Sequence, residues 1–199
     1  MYQKIKDQVN ELIKKYKLEA FKEVAVFAII TLAIHFVYNF WANRHFLLFG
    51  IHVIPREAFA WSATQVYFIS KWVLFHIFML KNSGVDETLT IYFPHKGFIE
   101  VVLGCSGLKQ LIQFALLFLI YPGPWKHKLW YIPMGIVIVY IVNVFRIVGL
   151  GLLLQWNGTY FDLVHDYVFR PFFYVVIFAL WVIWVEKFER KKKPEIENA

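Results

Sequence analysis

Long runs without a single charged side chain decide what this chain can become. Residues 111–121, 132–142 and 172–185 carry none, and helices of that kind bury themselves either in a large core or in a bilayer. The chain is 199 residues long, 59% hydrophobic and 18% charged, whereas a soluble domain is about half apolar and a quarter charged. Disordered chains, disulfide-stapled secreted domains and nucleic-acid modules are excluded. The net charge of +7 does not argue for nucleic acid, because the basic residues cluster beside the apolar runs. In a membrane protein that pattern marks the cytoplasmic side. The expectation is one all-α polytopic membrane domain.

Four stretches qualify as membrane spans: 24–41, 105–121, 130–154 and 171–185. A fifth, 59–80, is long enough but holds Lys71 near its middle, with Ser62, Thr64, Gln65, Ser70 and His76. Charge bias arbitrates. Of the 21 basic residues, six fall in 1–22, two are Lys126 and Lys128, and five lie in 187–193. If all three regions face the cytoplasm, the number of crossings is even. Four spans fit, so 59–80 reads as a surface or re-entrant helix of the outer leaflet, Lys71 snorkelling to water. The alternative makes 59–80 a span and 46–54 a re-entrant return. The segment 1–22 lacks the apolar core of a signal peptide and reads as a cationic amphipathic helix on the cytoplasmic membrane surface. Thr88, Thr90, Tyr92 and Phe93 favour a strand, and Pro94-His95-Lys96-Gly97 a turn, so 89–93 and 98–102 are expected to pair as a small extracytoplasmic β-hairpin.

This topology brings three distant residues to one depth. Cys105 lies 16 residues before Tyr121, and Arg146 lies 16 after Trp130. At about 1.5 Å per residue both stand roughly 24 Å above the cytoplasmic face. His165 precedes the last span on the same outer side. A guanidinium inside Asn143-Val144-Phe145-Arg146-Ile147 must face protein, water or an anion, and Asn143, on the same helical face, can orient it. Gly104-Cys105-Ser106-Gly107 stands at a helix start, where unpaired backbone N–H groups and the dipole favour a thiolate. Cysteine, histidine and arginine are the parts of an acyl-transfer site: nucleophile, base and oxyanion stabiliser. Ser106, Gly107, Asn143 and Asp162 are the supporting candidates, with Lys109 interfacial; Asp162 and Asp166 flank His165, and Asp162 reads as a solvated loop acid ahead of a hydrogen-bond partner for the ring. The single cysteine and the lack of histidines paired at i,i+4 leave no expected metal and no other cofactor.

At these residues the chain resembles the exosortase/archaeosortase family of membrane-embedded cysteine transpeptidases. The matching pieces are Cys105-Ser106-Gly107 opening a helix, Asn143 to Ile147 inside the next, and His165 before the last. The resemblance implies a protein-sorting enzyme of the cell membrane, with both termini cytoplasmic and its site facing outside. It implies exported substrates ending in a short motif, a transmembrane helix and a basic tail. Cys105 would be the nucleophile, Arg146 the thiolate activator or oxyanion ligand, and His165 the general acid/base. The acyl group would pass to an acceptor nucleophile, with membrane lipids as surroundings. A competing reading is a non-catalytic membrane assembly or transport protein that holds an anionic lipid or substrate through Arg146.

Overall fold

The computed structural model describes residues 19–43, 56–81 and 83–189. Its elements are α1 (Glu19–Asn43), α2 (Arg56–His76), β1 (Ser83–Val85), β2 (Thr90–Phe93), β3 (Gly97–Glu100), a 3₁₀ turn (Leu103–Cys105), α3 (Leu108–Ile120), α4 (Trp125–Asn157), a second 3₁₀ turn (Gly158–Tyr160), α5 (Phe161–Val164), a π turn (His165–Phe169) and α6 (Arg170–Trp184), which ends in another π turn, Val185–Glu189. The surface helix expected over 1–22 lies outside the described residues except for its last four, which belong to α1. The alternative return at 46–54 lies outside them altogether.

The helix surfaces are apolar on the wrong side for a water-soluble protein. Phe36 is 68% exposed and Trp61 69%, and Val137, Ile141, Phe145, Val175 and Ile183 face outward as well. Contiguous apolar surface of this kind needs a non-aqueous neighbour. Among the described residues, the continuous helical stretch Trp125–Phe188, which includes α4 and α6, is long and apolar enough to cross a membrane. The apolar stretches Glu23–Val37 and Leu108–Ile120 are shorter.

Two apolar cores hold the helices together. In one, Phe114 and Phe118 of α3, Tyr131 of α4 and Trp181 and Trp184 of α6 pack with Ile34 of α1. Gly135 makes room there for the Phe114 ring, which a Cβ would strike, so α3 and α4 approach closely. The second joins Val66, Tyr67 and Leu74 of α2 to Ile147 and Leu150 of α4 and to Ile91, Phe93 and Ile99 of the strands. The buried face of α2 includes the small residues Ser62, Ala63 and Ser70, which let it lie against α4. Arg146 sits between Val139 of the first core and Ile147 of the second.

Three expectations change here. The strands form a three-stranded antiparallel sheet in the order β1-β2-β3. β2 and β3 pair with Tyr92 opposite Phe98, and β1, absent from the sequence reading, adds Ser83 opposite Tyr92. Its Ser-Gly-Val is too short to show a pattern. Lys71 does not reach freely into water: its Nζ donates to Asp86 Oδ1 at 2.9 Å and to Tyr67 Oη at 3.2 Å, tying α2 to the turn after β1. Tyr67 Oη also donates to the same carboxylate at 2.7 Å. Together these bonds hold Asp86 below the usual carboxylate range. Finally, the stretch 105–121 is not helical from its start. α3 begins at Leu108 and is 13 residues long, about 20 Å, because Gly107 must first turn the chain.

Candidate active site

The local fold explains how Cys105 is held. The 3₁₀ turn spends both nearby amides: Cys105 N–H donates to Val102 O at 2.8 Å and Ser106 N–H to Leu103 O at 3.2 Å. The expected set of unpaired N–H groups at the cysteine is therefore not there. Gly107 then takes φ +73°, a left-handed conformation that favours glycine, and caps α3 two residues after Cys105. Cys105 thus stands just ahead of the N-terminal end of α3.

Asn143 and Ser62 clamp this turn. Asn143 Nδ2 donates to Cys105 O at 2.9 Å, and Ser62 Oγ to Ser106 O at 2.9 Å. Ser106 is buried, and its Oγ accepts from Leu108 N–H at 3.3 Å. The expected role of Asn143 thus changes, since it positions the cysteine loop and makes no hydrogen bond to Arg146. A Cβ on Gly107 would fall 2.6 Å from Asn143 Nδ2. Gly107→Ala is expected to combine backbone strain with loss of the Asn143 bond, together about 2–3 kcal/mol. Its apparent melting temperature in detergent should drop by several degrees, and an unchanged value would refute the clamp.

Arg146 enters the same cavity from α4. It is 5% exposed, lines the same cavity as Cys105, and its Cζ is 6.0 Å from the centre of the Phe173 ring. One terminal nitrogen, Nη2, stands 2.6 Å from His165 Nε2. Guanidinium nitrogens can only donate, so His165 Nε2 accepts and the ring proton sits on Nδ1. Nδ1 in turn lies 2.6 Å from Asp166 Oδ1, and Arg170 Nη2 is 3.3 Å from the same carboxylate oxygen. Arg146 Nε is buried with no hydrogen-bond partner among the described residues. A chain of alternating donors and acceptors therefore runs Arg146, His165, Asp166, Arg170.

Asp162 is exposed and makes no side-chain hydrogen bond among the described residues, as a solvated loop acid would, and Asp166 is the carboxylate that meets the ring. Residues 161–164 are α-helical up to His165, so Asp162 stays one turn back on the same face, and the ring turns instead to the carboxylate of the next residue. Phe161 stacks on the imidazole with 7° between the ring planes. Cys105, Arg146 and His165 line one cavity of about 670 Å³, together with Lys109, Glu100 and Gln113 among others. Ser62, Asp166, Arg170 and Gln113 were missed from sequence. Only Gln113 left a readable signal, a polar side chain inside an otherwise apolar run.

A helical bundle with lipid-type surfaces that encloses a cysteine, a buried arginine and a histidine in one cavity defines a membrane-embedded protein with an enzyme-like site. The sequence profile of the transmembrane exosortase family matches residues 17–185, which is most of the chain, and the chain belongs to that family. Searches of curated proteins and of solved structures returned no match. Family membership makes it a sorting-related transmembrane enzyme of the membrane, and the family acts in general on exported proteins that carry sorting signals.

Proposed function

We propose that this protein is a cysteine transpeptidase that removes the C-terminal sorting signal of exported proteins. The signal is a short motif, a transmembrane helix and a basic tail, and the product is transferred through a thioester to an acceptor nucleophile. The observation that carries the reading is the buried Arg146, hydrogen-bonded to His165 in the cavity that holds Cys105. Lys126 and Lys128 mark the cytoplasmic side in this reading, and the site opens outward.

The geometry suggests a division of labour. Arg146 swings an N–H from the imidazole to the sulfur, and the thiol proton passes to the freed His165 Nε2. Asp166 accepts from Nδ1–H and stabilises the resulting imidazolium. The sulfur attacks the scissile carbonyl, and the developing oxyanion is met by Arg146, whose Nε–H is unspent. The amides of Cys105 and Ser106 are already committed, so the side chain has to do this. Imidazolium then protonates the leaving amine, which departs with the transmembrane helix. An incoming nucleophile loses its proton to His165, attacks the thioester and expels Cys105.

Labelling with an anionic, membrane-impermeant methanethiosulfonate tests this reading. In intact cells Cys105 should react quickly from outside, and Arg146→Leu should slow it about tenfold or more by removing the cation that draws the anionic reagent into the cavity. An inert thiol in the wild-type protein would overturn the proposal and favour the non-catalytic anion-binding alternative.

A further inference from the structure

Two polar atoms in the same cavity take no part in the chemistry above. Gln110 Oε1 and Gln113 Nε2 are buried, and neither has a hydrogen-bond partner among the described residues. Gln113 as a whole is only 6% exposed. The two residues stand three apart on α3, so they share one helical face, and that face lines the cavity containing Cys105. Gln113 lies five residues beyond Leu108, about 7.5 Å along the axis, so it reaches further into the cavity than the thiol does. Across from α3, Ile147 and Leu150 of α4 and Phe173 and Ile177 of α6 give the cavity apolar walls.

A buried donor and a buried acceptor without partners are costly unless a ligand satisfies them. An anion would leave the Gln110 oxygen facing negative charge. A cation would find the one carboxylate of the lining, Glu100, outnumbered by Lys109, Arg146 and Arg170. An apolar group would leave both amides unpaired. A group that presents one donor and one acceptor side by side satisfies both, and a peptide main chain does so at every residue. In an extended segment the N–H and C=O of one residue point the same way.

We propose that Gln110 and Gln113 form a main-chain subsite beside the nucleophile, Gln110 Oε1 accepting from a substrate peptide N–H and Gln113 Nε2 donating to a substrate carbonyl. The subsite rests on the cysteine-transpeptidase reading, since its ligand is that enzyme's substrate. It holds an extended peptide segment in register with Cys105. The apolar walls then take the side chains.

The test uses three reagents on the purified full-length protein in detergent. Methyl methanethiosulfonate is small and reports the intrinsic reactivity of Cys105. Acetyl-tetraalanyl chloromethyl ketone reports peptide-assisted reaction, in which the sulfur bonds to the methylene carbon, chloride leaves and the thiol proton is lost. A series of analogues with each amide replaced in turn by an ester removes one N–H at a time. In the wild-type protein one ester should react about tenfold more slowly than the parent ketone, the effect of one hydrogen bond of about 1.4 kcal/mol. Gln110→Met should erase that difference, and Gln113→Met should slow the parent ketone by about the same factor. Neither should change the methanethiosulfonate rate.

If every ester reacts as fast as the parent, or both variants keep the wild-type ratio of ketone to methanethiosulfonate rates, the subsite is refuted while the nucleophile stands. If methyl methanethiosulfonate leaves Cys105 unmodified, the nucleophile fails and the subsite with it. Should a methionine variant not fold, the ester series on the wild-type protein decides alone.

Discussion

Cys105→Ala is expected to abolish processing of an exported protein bearing a motif, transmembrane helix and basic tail, with a fall of at least about a thousandfold. No other cysteine exists in the chain, so no thiol can substitute. The folded protein should survive the change. The sulfur is half-buried and makes no hydrogen bond among the described residues, and the turn is held through the Cys105 carbonyl and the Ser106 carbonyl, which alanine keeps. The cost to stability should stay within about 1 kcal/mol. The check is accumulation of unprocessed precursor on an immunoblot, alongside an unaltered elution profile of the variant in detergent. Precursor processed at the wild-type rate would remove Cys105 from the chemistry. Cys105→Ser should behave like alanine, because a serine hydroxyl ionises far above the thiol and the nearby arginine cannot close that gap.

How much of this was legible beforehand follows from what each feature depends on. The helices around 130–154 and 171–185 were readable because long apolar runs have few alternatives: α4 runs a little past both limits, from Trp125 to Asn157, and α6 starts and ends one residue earlier, at Arg170 and Trp184. The start of α3 was misplaced because the apolar run begins before the left-handed Gly107. The sequence marks that glycine but not its φ. The gathering of Cys105, Arg146 and His165 followed from counting residues along helices that run side by side. Partner choice did not. Asn143 lies on the same helical face as Arg146, which is why it was assigned to the guanidinium. Which neighbour it bonds depends on how α4 is rotated against α3, and that is set by packing of Gly135 against Phe114. In the same way, Asp162 and Asp166 both flank His165, and which of them the imidazole meets is decided by the orientation of the ring, which no short-range propensity encodes. β1 escaped notice because three residues carry no period.

Arg146→Lys separates the two functional readings most sharply. Lysine keeps the positive charge but replaces a planar fork of donors by a flexible point charge. In the transpeptidase reading one arginine has two directions to serve, the His165 imidazole at 2.6 Å and the oxyanion beside Cys105. An ammonium on a single rotatable stem cannot hold both with fixed geometry. Processing should therefore fall by about a hundredfold or more, the scale of losing one oriented oxyanion donor. Thiol labelling by an anionic reagent should fall much less, because the positive charge that draws the reagent in remains. Arg146→Leu should lose both. The anion-binding alternative makes the opposite demand, since lysine is itself a good ligand for a phosphate headgroup and only leucine should impair function. Measuring processing and labelling on both variants thus distinguishes charge from geometry at one position. If lysine supports processing at close to the wild-type rate, the hydrogen bond to His165 is incidental and the proposed catalytic role of Arg146 is wrong.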